Sequence, residues 1–290
     1  MKFDKNTKIL IVGLGLIGGS YAKALSDEGY FVGAIDKKKS SVEYALKNGL
    51  IQVGETSVKK DFVKDFDLIV FALYPHDFIN WIKENQSSIK PGALITDVTG
   101  VKTFVVENVQ KILRDDLEFV GAHPMAGKEV SGVENADPKI FVGANYIVTP
   151  TKRNTDENVQ AVKDLGRALG FERISSLSPE EHDETVGFLS HLTHCIAVSL
   201  MVSKKSHHLA EYTGDSFRDL TRIAKINDEM WSELFLANKD ELLKQMDLFE
   251  EKFNQLKEDI KNDNREKIRE TLRESTARRK VFDKDAKETK

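Results

Sequence analysis

Short apolar runs alternate with longer amphipathic stretches through the first half of the chain, and beyond residue 178 only the longer stretches continue. Residues 8–12, 30–35, 68–72, 94–97, 119–122, 145–149 and 171–176 have the length and β-branched content of buried strands, and helical or polar segments separate most of them. This alternation predicts an α/β fold, a doubly wound and mostly parallel Rossmann-type sheet with helices on both faces. Ligands then bind at the carboxyl ends of the strands, where Tyr74, Asp97 and His123 fall.

Ser178-Pro179 opens the all-helical part, because proline suits the first turn of a helix. The expected division is therefore a dinucleotide-binding domain over 1–178 and a helical substrate and dimerisation domain over 179–290. The apolar stretch 186–202 reaches the lower length limit for a membrane span. Its Ser190, His191, Thr193, His194 and Ser199 favour a buried core helix with a polar stripe. Leu242, Met246, Phe249, Phe253, Leu256 and Ile260 are spaced alternately four and three apart, a seam for another helix of this chain or of a second copy. Residues 261–290 are strongly charged and read as a helix fraying into a solvated tail.

Composition narrows the setting. Of 290 residues 40% are hydrophobic, enough for two domains with real cores. With 43 basic and 47 acidic residues the formal charge is −4, which does not suggest a nucleic-acid partner or an anionic membrane surface. The single cysteine, Cys195, cannot form an internal disulfide, and the polar first eight residues lack a secretory apolar core. Both features predict a cytoplasmic protein.

The candidate chemistry lies in two motifs. Gly13-Leu14-Gly15-Leu16-Ile17-Gly18 follows the first predicted strand and opens a helical pattern. In such a turn the first glycine makes the bend, the second admits a pyrophosphate, and the third packs helix on strand. Asp36 ends the next strand about 20 residues on, where a carboxylate accepts both ribose hydroxyls. A 2′-phosphate would repel it by roughly 4 kcal/mol at 4 Å and an effective dielectric of 20. NAD is the expected cofactor, with Gly13, Gly15, Leu16, Ile17, Gly18, Asp36, Tyr74 and Thr99 around it. The second motif, Gly121-Ala122-His123-Pro124-Met125-Ala126-Gly127, places His123 in a glycine-bounded loop, with an imidazole suited to accept a hydroxyl proton. His191 and His194 share a helix face, but no third and fourth ligand is spaced for a metal, and none is expected.

Together these motifs resemble the prephenate and arogenate dehydrogenases of tyrosine biosynthesis. The resemblance runs from the glycine turn through residues 121–129 to Ser190-His191-Leu192-Thr193-His194, Thr221-Arg222-Ile223-Ala224 and Trp231. It implies a homodimer that oxidatively decarboxylates a cyclohexadienol. Prephenate would give 4-hydroxyphenylpyruvate, and arogenate would give tyrosine. His123 would take or hold the hydroxyl proton, Arg222 would bind a substrate carboxylate bidentately, and His194 would contact the substrate from the helical domain. Glu129, Asp183, Arg218 and Asp219 would form an ionic network around Arg222, and Trp231 would line the pocket or belong to the core.

Two positions depart from the pattern. The family often has serine where this chain has Gly100, so Thr99 or His123 alone would serve the substrate hydroxyl; Thr193 stands where proline is frequent. Gly100 also leaves open a third reading, a nicotinamide-binding regulator without catalysis.

Overall fold

The computed structural model describes residues 1–128, 130–205 and 208–282. Glu129, expected in the ionic network, lies outside the described residues. Strands β1 (Lys8–Val12), β2 (Phe31–Ile35), β3 (Val53–Glu55), β4 (Leu68–Phe71), β5 (Leu94–Asp97) and β6 (Glu118–Phe119) form one six-stranded sheet in the order β3-β2-β1-β4-β5-β6. Every neighbouring pair is parallel. The order reverses between β1 and β4, which opens the crevice where dinucleotides bind in doubly wound sheets.

Helices α1 (Leu16–Asp27), α2 (Lys39–Lys47), α3 (Lys60–Val63), α4 (Pro75–Asn85) and α5 (Thr103–Ile112) connect these strands, and α6 (Asp156–Ala168) follows later. Ile9 to Val12 and all of β4 are buried, as a sheet covered on both faces requires. Ile9, Ile11, Val70 and Tyr21 of α1 belong to one core cluster, with Tyr146 and Phe171. Leu10, Phe71 and Phe119 face the other, with Phe78 of α4 and Val105 of α5.

The run expected as one strand over 119–122 divides between two sheets. Val120 still donates its N–H to the Ile95 carbonyl at 3.0 Å. From Gly121 the chain turns into β7 (Gly121–Pro124), which pairs antiparallel with β8 (Asn145–Thr149), itself parallel to β9 (Arg173–Ser176). A Cβ at Gly121 would sit 2.5 Å from the Thr149 hydroxyl oxygen, so glycine is what lets β7 approach β8. His123 is consequently a strand residue opposite Ile147, rather than part of a loop.

The helical part comprises α7 (Pro179–Val186), α8 (Thr193–Val202), α9 (Asp215–Thr221), α10 (Asp228–Ala237), α11 (Lys239–Lys261) and α12 (Arg265–Arg279). Ser178 caps α7 in a reciprocal capping box with Glu181, and Pro179 occupies the first turn. A π-helical turn, Gly187–Leu192, joins α7 to α8. The expected buried helix over 186–202 is corrected by this turn. It shifts the phase of the helix, so that His191, Leu192 and Ala197 are buried while Phe188, Leu189, Met201 and Val202 face outward. Among the described residues, Pro179–Val202 is the one helical run long and apolar enough to cross a membrane.

Packing groups Met1–Lys239 as one compact unit and Asp240–Lys290 as another. In the second unit the seam of α11 leaves Met246, Phe249, Phe253 and Ile260 exposed.

Candidate active site

The glycine turn is built as its spacing predicts. Gly13 has φ +99°, and a Cβ there would meet the Ala72 carbonyl oxygen at 2.5 Å. A Cβ at Gly18 would lie 1.9 Å from the Gly13 carbonyl oxygen, so the third glycine is what seats α1 on β1. Gly15 differs from both. It caps α1, and nothing lies within 4 Å of its Cβ position. The open face of Gly15 at the N-terminus of a twelve-residue helix is the cradle a pyrophosphate needs. Asp36 accepts N–H bonds from Leu14 and Lys38, both at 2.7 Å, and so braces the turn while keeping lone pairs for a ribose. Leu16 is buried and Ile17 partly so, both on the first turn of α1. These residues fit a dinucleotide.

The second group gathers where β5 ends beside β7. Asp97 and Lys102 form a fully buried ion pair at 2.6 Å. The other Asp97 oxygen accepts the Ala122 N–H at 3.1 Å, which fixes the strand bearing His123. Thr99 is buried, and its hydroxyl bonds Asp97, the Val101 carbonyl and Lys102 Nζ. It is thereby held inward, within this network. Gly100 is nearer the chemistry: a Cβ there would lie 3.9 Å from His123 Cε1 and 3.5 Å from Leu234 Cδ1 and Cδ2.

His123 Nδ1 lies 2.8 Å from Nε2 of His182, whose Nδ1 lies 2.8 Å from Asp183 Oδ1. Burial pushes the His123 pKa well below the ordinary imidazole range, and the neighbouring His182, Lys102 and His191 push the same way. Burial also lowers His182, against the opposing bond to Asp183. Asp183, although burial works to raise it, is held below the usual carboxylate range by His182 and by the backbone N–H groups of Lys102 and Thr103. His182 and Lys102 were not singled out from sequence, whereas Asp97 was placed among the strand ends facing the cleft. The signal available was two charged residues at the end of an apolar strand and a histidine–aspartate pair in a first helical turn.

A third group comes from the helical part. His194 lies against Trp231 with ring centroids 3.7 Å apart and planes tilted by 31°, and its Nδ1 lies 2.8 Å from the Ser190 carbonyl. His191 approaches Trp231 and Phe235 edge-on and lies 3.3 Å from Asn238 Nδ2, which also donates to the Asp183 carbonyl. Trp231 and Leu234 share α10, so one helix reaches both His194 and Gly100. Tyr74 accepts from Asn227 at 3.3 Å, joining the end of β4 to the start of α10.

The other residues expected in the ionic network are placed on three elements. Asp183 is buried against His182 and the start of α5. Arg218 pairs with Asp215 at 2.6 Å on the exposed surface of α9. Asp219 and Arg222 are exposed, Arg222 opening a 3-10 turn to Ala224. Among the described residues no cluster of metal-ligating side chains occurs.

Residues 21–173 match the model of the prephenate dehydrogenase nucleotide-binding domain, and residues 178–274 match that of the prephenate dehydrogenase dimerization domain. Prephenate dehydrogenase of Bacillus subtilis is 34% identical over 82% of this chain, which spans 66% of that protein's length. The crystal structure of prephenate dehydrogenase from Aquifex aeolicus, in complex with hydroxyphenyl propionate and NAD+, superposes with a TM-score of 0.87 at 34% identity, covering 96% of this chain and 98% of its own. Arogenate dehydrogenase of Synechocystis gives a TM-score of 0.82 at 25% identity, over 96% of this chain and all of its own.

Proposed function

This chain belongs to the prephenate dehydrogenase family, and we propose that it is an NAD-dependent enzyme converting prephenate to 4-hydroxyphenylpyruvate and carbon dioxide. The observation that carries the reading is His123, a half-buried imidazole facing the Gly100 position at the end of β5. In that place it accepts the proton of the substrate's ring hydroxyl and returns it once the ring is aromatic. Bound NAD supplies the acceptor for the hydride leaving the carbinol carbon. Loss of carbon dioxide and gain of aromaticity make the reaction effectively irreversible.

Two carboxylates on the substrate call for cations and a flat wall. Arg222 is the planar donor fork, and the closely packed rings of His194 and Trp231 offer the wall. Gly13, Gly15, Leu16, Ile17, Gly18 and Asp36 hold the dinucleotide, with Tyr74 at the neighbouring strand end. Thr99 acts through Asp97 and Lys102 rather than by touching the substrate. Residues 1–178 form the nucleotide-binding domain and 179–290 the helical one, a division supported by the capping box at Ser178. The outward apolar side chains of α8 and α11 support a homodimer. The half-buried lone Cys195 fits a reducing cytoplasm.

A second reading, arogenate as substrate, is favoured by the likeness to the Synechocystis enzyme. The test is formation of reduced nicotinamide with prephenate and arogenate, each paired with NAD and NADP. Fast turnover of prephenate with NAD supports the first reading, and preference for arogenate supports the second. NAD binding without any turnover would leave a regulator.

A further inference from the structure

We propose that His182 is a positioning residue that fixes His123 in the tautomer with its proton on Nδ1 and its lone pair on Nε2, and that Asp183 anchors this arrangement. The proposal rests on the role given to His123 above, since a base needs a free lone pair directed at its substrate.

The geometry sets each proton in turn. Asp183 Oδ1 accepts the Lys102 N–H and Oδ2 accepts the Thr103 N–H, both at 2.8 Å, so the carboxylate is ionised and clamped to the start of α5. An ionised carboxylate only accepts, so the 2.8 Å contact with His182 requires the proton on His182 Nδ1. His182 has no exposed surface and is kept neutral by burial, which leaves its Nε2 an acceptor. The 2.8 Å contact to His123 is then made by the His123 Nδ1–H. His123 Nε2 is left with the lone pair. When Nε2 takes the hydroxyl proton, the new cation is bonded through Nδ1–H to His182, and Asp183 lies one ring further on.

The other charged groups near this chain favour the same order. Lys102, paired with Asp97, disfavours a second proton on either imidazole, and His191 is kept neutral by burial. The relay also crosses between elements: His123 is on β7, His182 and Asp183 are on α7, and the clamp is at α5.

The test uses the full chain without ligand, with ¹⁵N spectra of the histidine rings recorded at neutral pH and compared for His182→Gln and His182→Asn. Glutamine reaches the position of Nε2 and keeps an acceptor for His123, whereas asparagine falls short of it. Expected are a His123 spectrum with Nδ1 protonated in the wild type, the same state in His182→Gln, and mixed tautomers in His182→Asn. In turnover, His182→Asn should lower kcat by about 10–100-fold with KM little changed, the size usual for outer partners of a working imidazole. His182→Gln should restore most of it. A wild-type His123 protonated on Nε2 would overturn the proposal, as would two variants with identical spectra. If the wild type turns over neither substrate, the functional reading fails while the spectra still decide the tautomer.

Discussion

Lys102 Nζ lies 2.6 Å from Asp97 Oδ2 with neither side chain reaching solvent. Burial pushes the Lys102 pKa down while Asp97 draws it up, so the pair persists because each charge answers the other. Removing only one leaves a buried charge unpaired, at a cost of about 3–5 kcal/mol. Lys102→Met should lose that much stability in urea unfolding. Lys102→Met combined with Asp97→Asn should recover part of it, because the amide needs no counter-ion. A loss below about 1 kcal/mol in the single variant would mean that water reaches Asp97.

The glycine turn separates fold from cofactor by position. Alanine at Gly18 would place a Cβ 1.9 Å from backbone, and the strain should cost at least the roughly 1–3 kcal/mol of an overpacked core. Alanine at Gly15 meets nothing within 4 Å, and the φ of −87° there suits alanine. Gly15→Ala should keep its Tm and weaken NAD binding about tenfold, equivalent to roughly 1.4 kcal/mol. Calorimetric titration that gives an unchanged Kd would remove the pyrophosphate from that face.

The reach of sequence reasoning shows in these same residues. Gly13, Gly18 and Asp36 were legible because local chain geometry fixes what they do. β1, β5 and β8 were legible because their β-branched apolar runs stop at polar residues. His123 was identified, but its strand was not, since the switch at Gly121 depends on Thr149, 28 residues away. His182 and Asp183 were harder still. Their partners are on α5 and β7, and a histidine–aspartate pair at a helix start looks no different in sequence from a solvated first turn. The π-turn at Gly187–Leu192 was hidden for a related reason: an apolar run of this kind carries no mark of which face will be covered.

Two buried histidines and one half-buried one should make the protein acid-sensitive. His123, His182 and His191 all have pKa values lowered by burial, His191 to about 4. A histidine of the unfolded chain titrates near 6.5, so below that pH the unfolded state binds more protons. The stability these groups contribute is complete above about 6.5 and is lost as pH falls toward their folded values. For His191 the span is worth about 3 kcal/mol by pH 4. Asp183, lowered from 3.8, adds its own loss only below that window. Denaturant unfolding between pH 7 and 4.5 should therefore show a falling midpoint. His191→Asn, which keeps an acceptor for Asn238, should flatten the slope by about one proton, and an unchanged slope would mean that His191 is already charged in the fold.

Gly100 and His123 together allow a gain to be tested beside a loss. Serine at Gly100 has room, with Leu234 and His123 at ordinary contact distances from its Cβ. Its hydroxyl would then lie beside His123 and could donate to a substrate oxygen held there. One such bond is worth about 1 kcal/mol, so Gly100→Ser should raise kcat/KM several-fold without changing NAD affinity. His123→Asn should lower turnover by roughly 10²–10⁴ if the imidazole is the base. The combined variant decides how the two act: with His123 as the base, an added hydroxyl cannot replace proton transfer, and Gly100→Ser/His123→Asn should be as slow as His123→Asn alone. Steady-state rates that show the serine restoring activity without His123 would place the working proton acceptor elsewhere in the pocket.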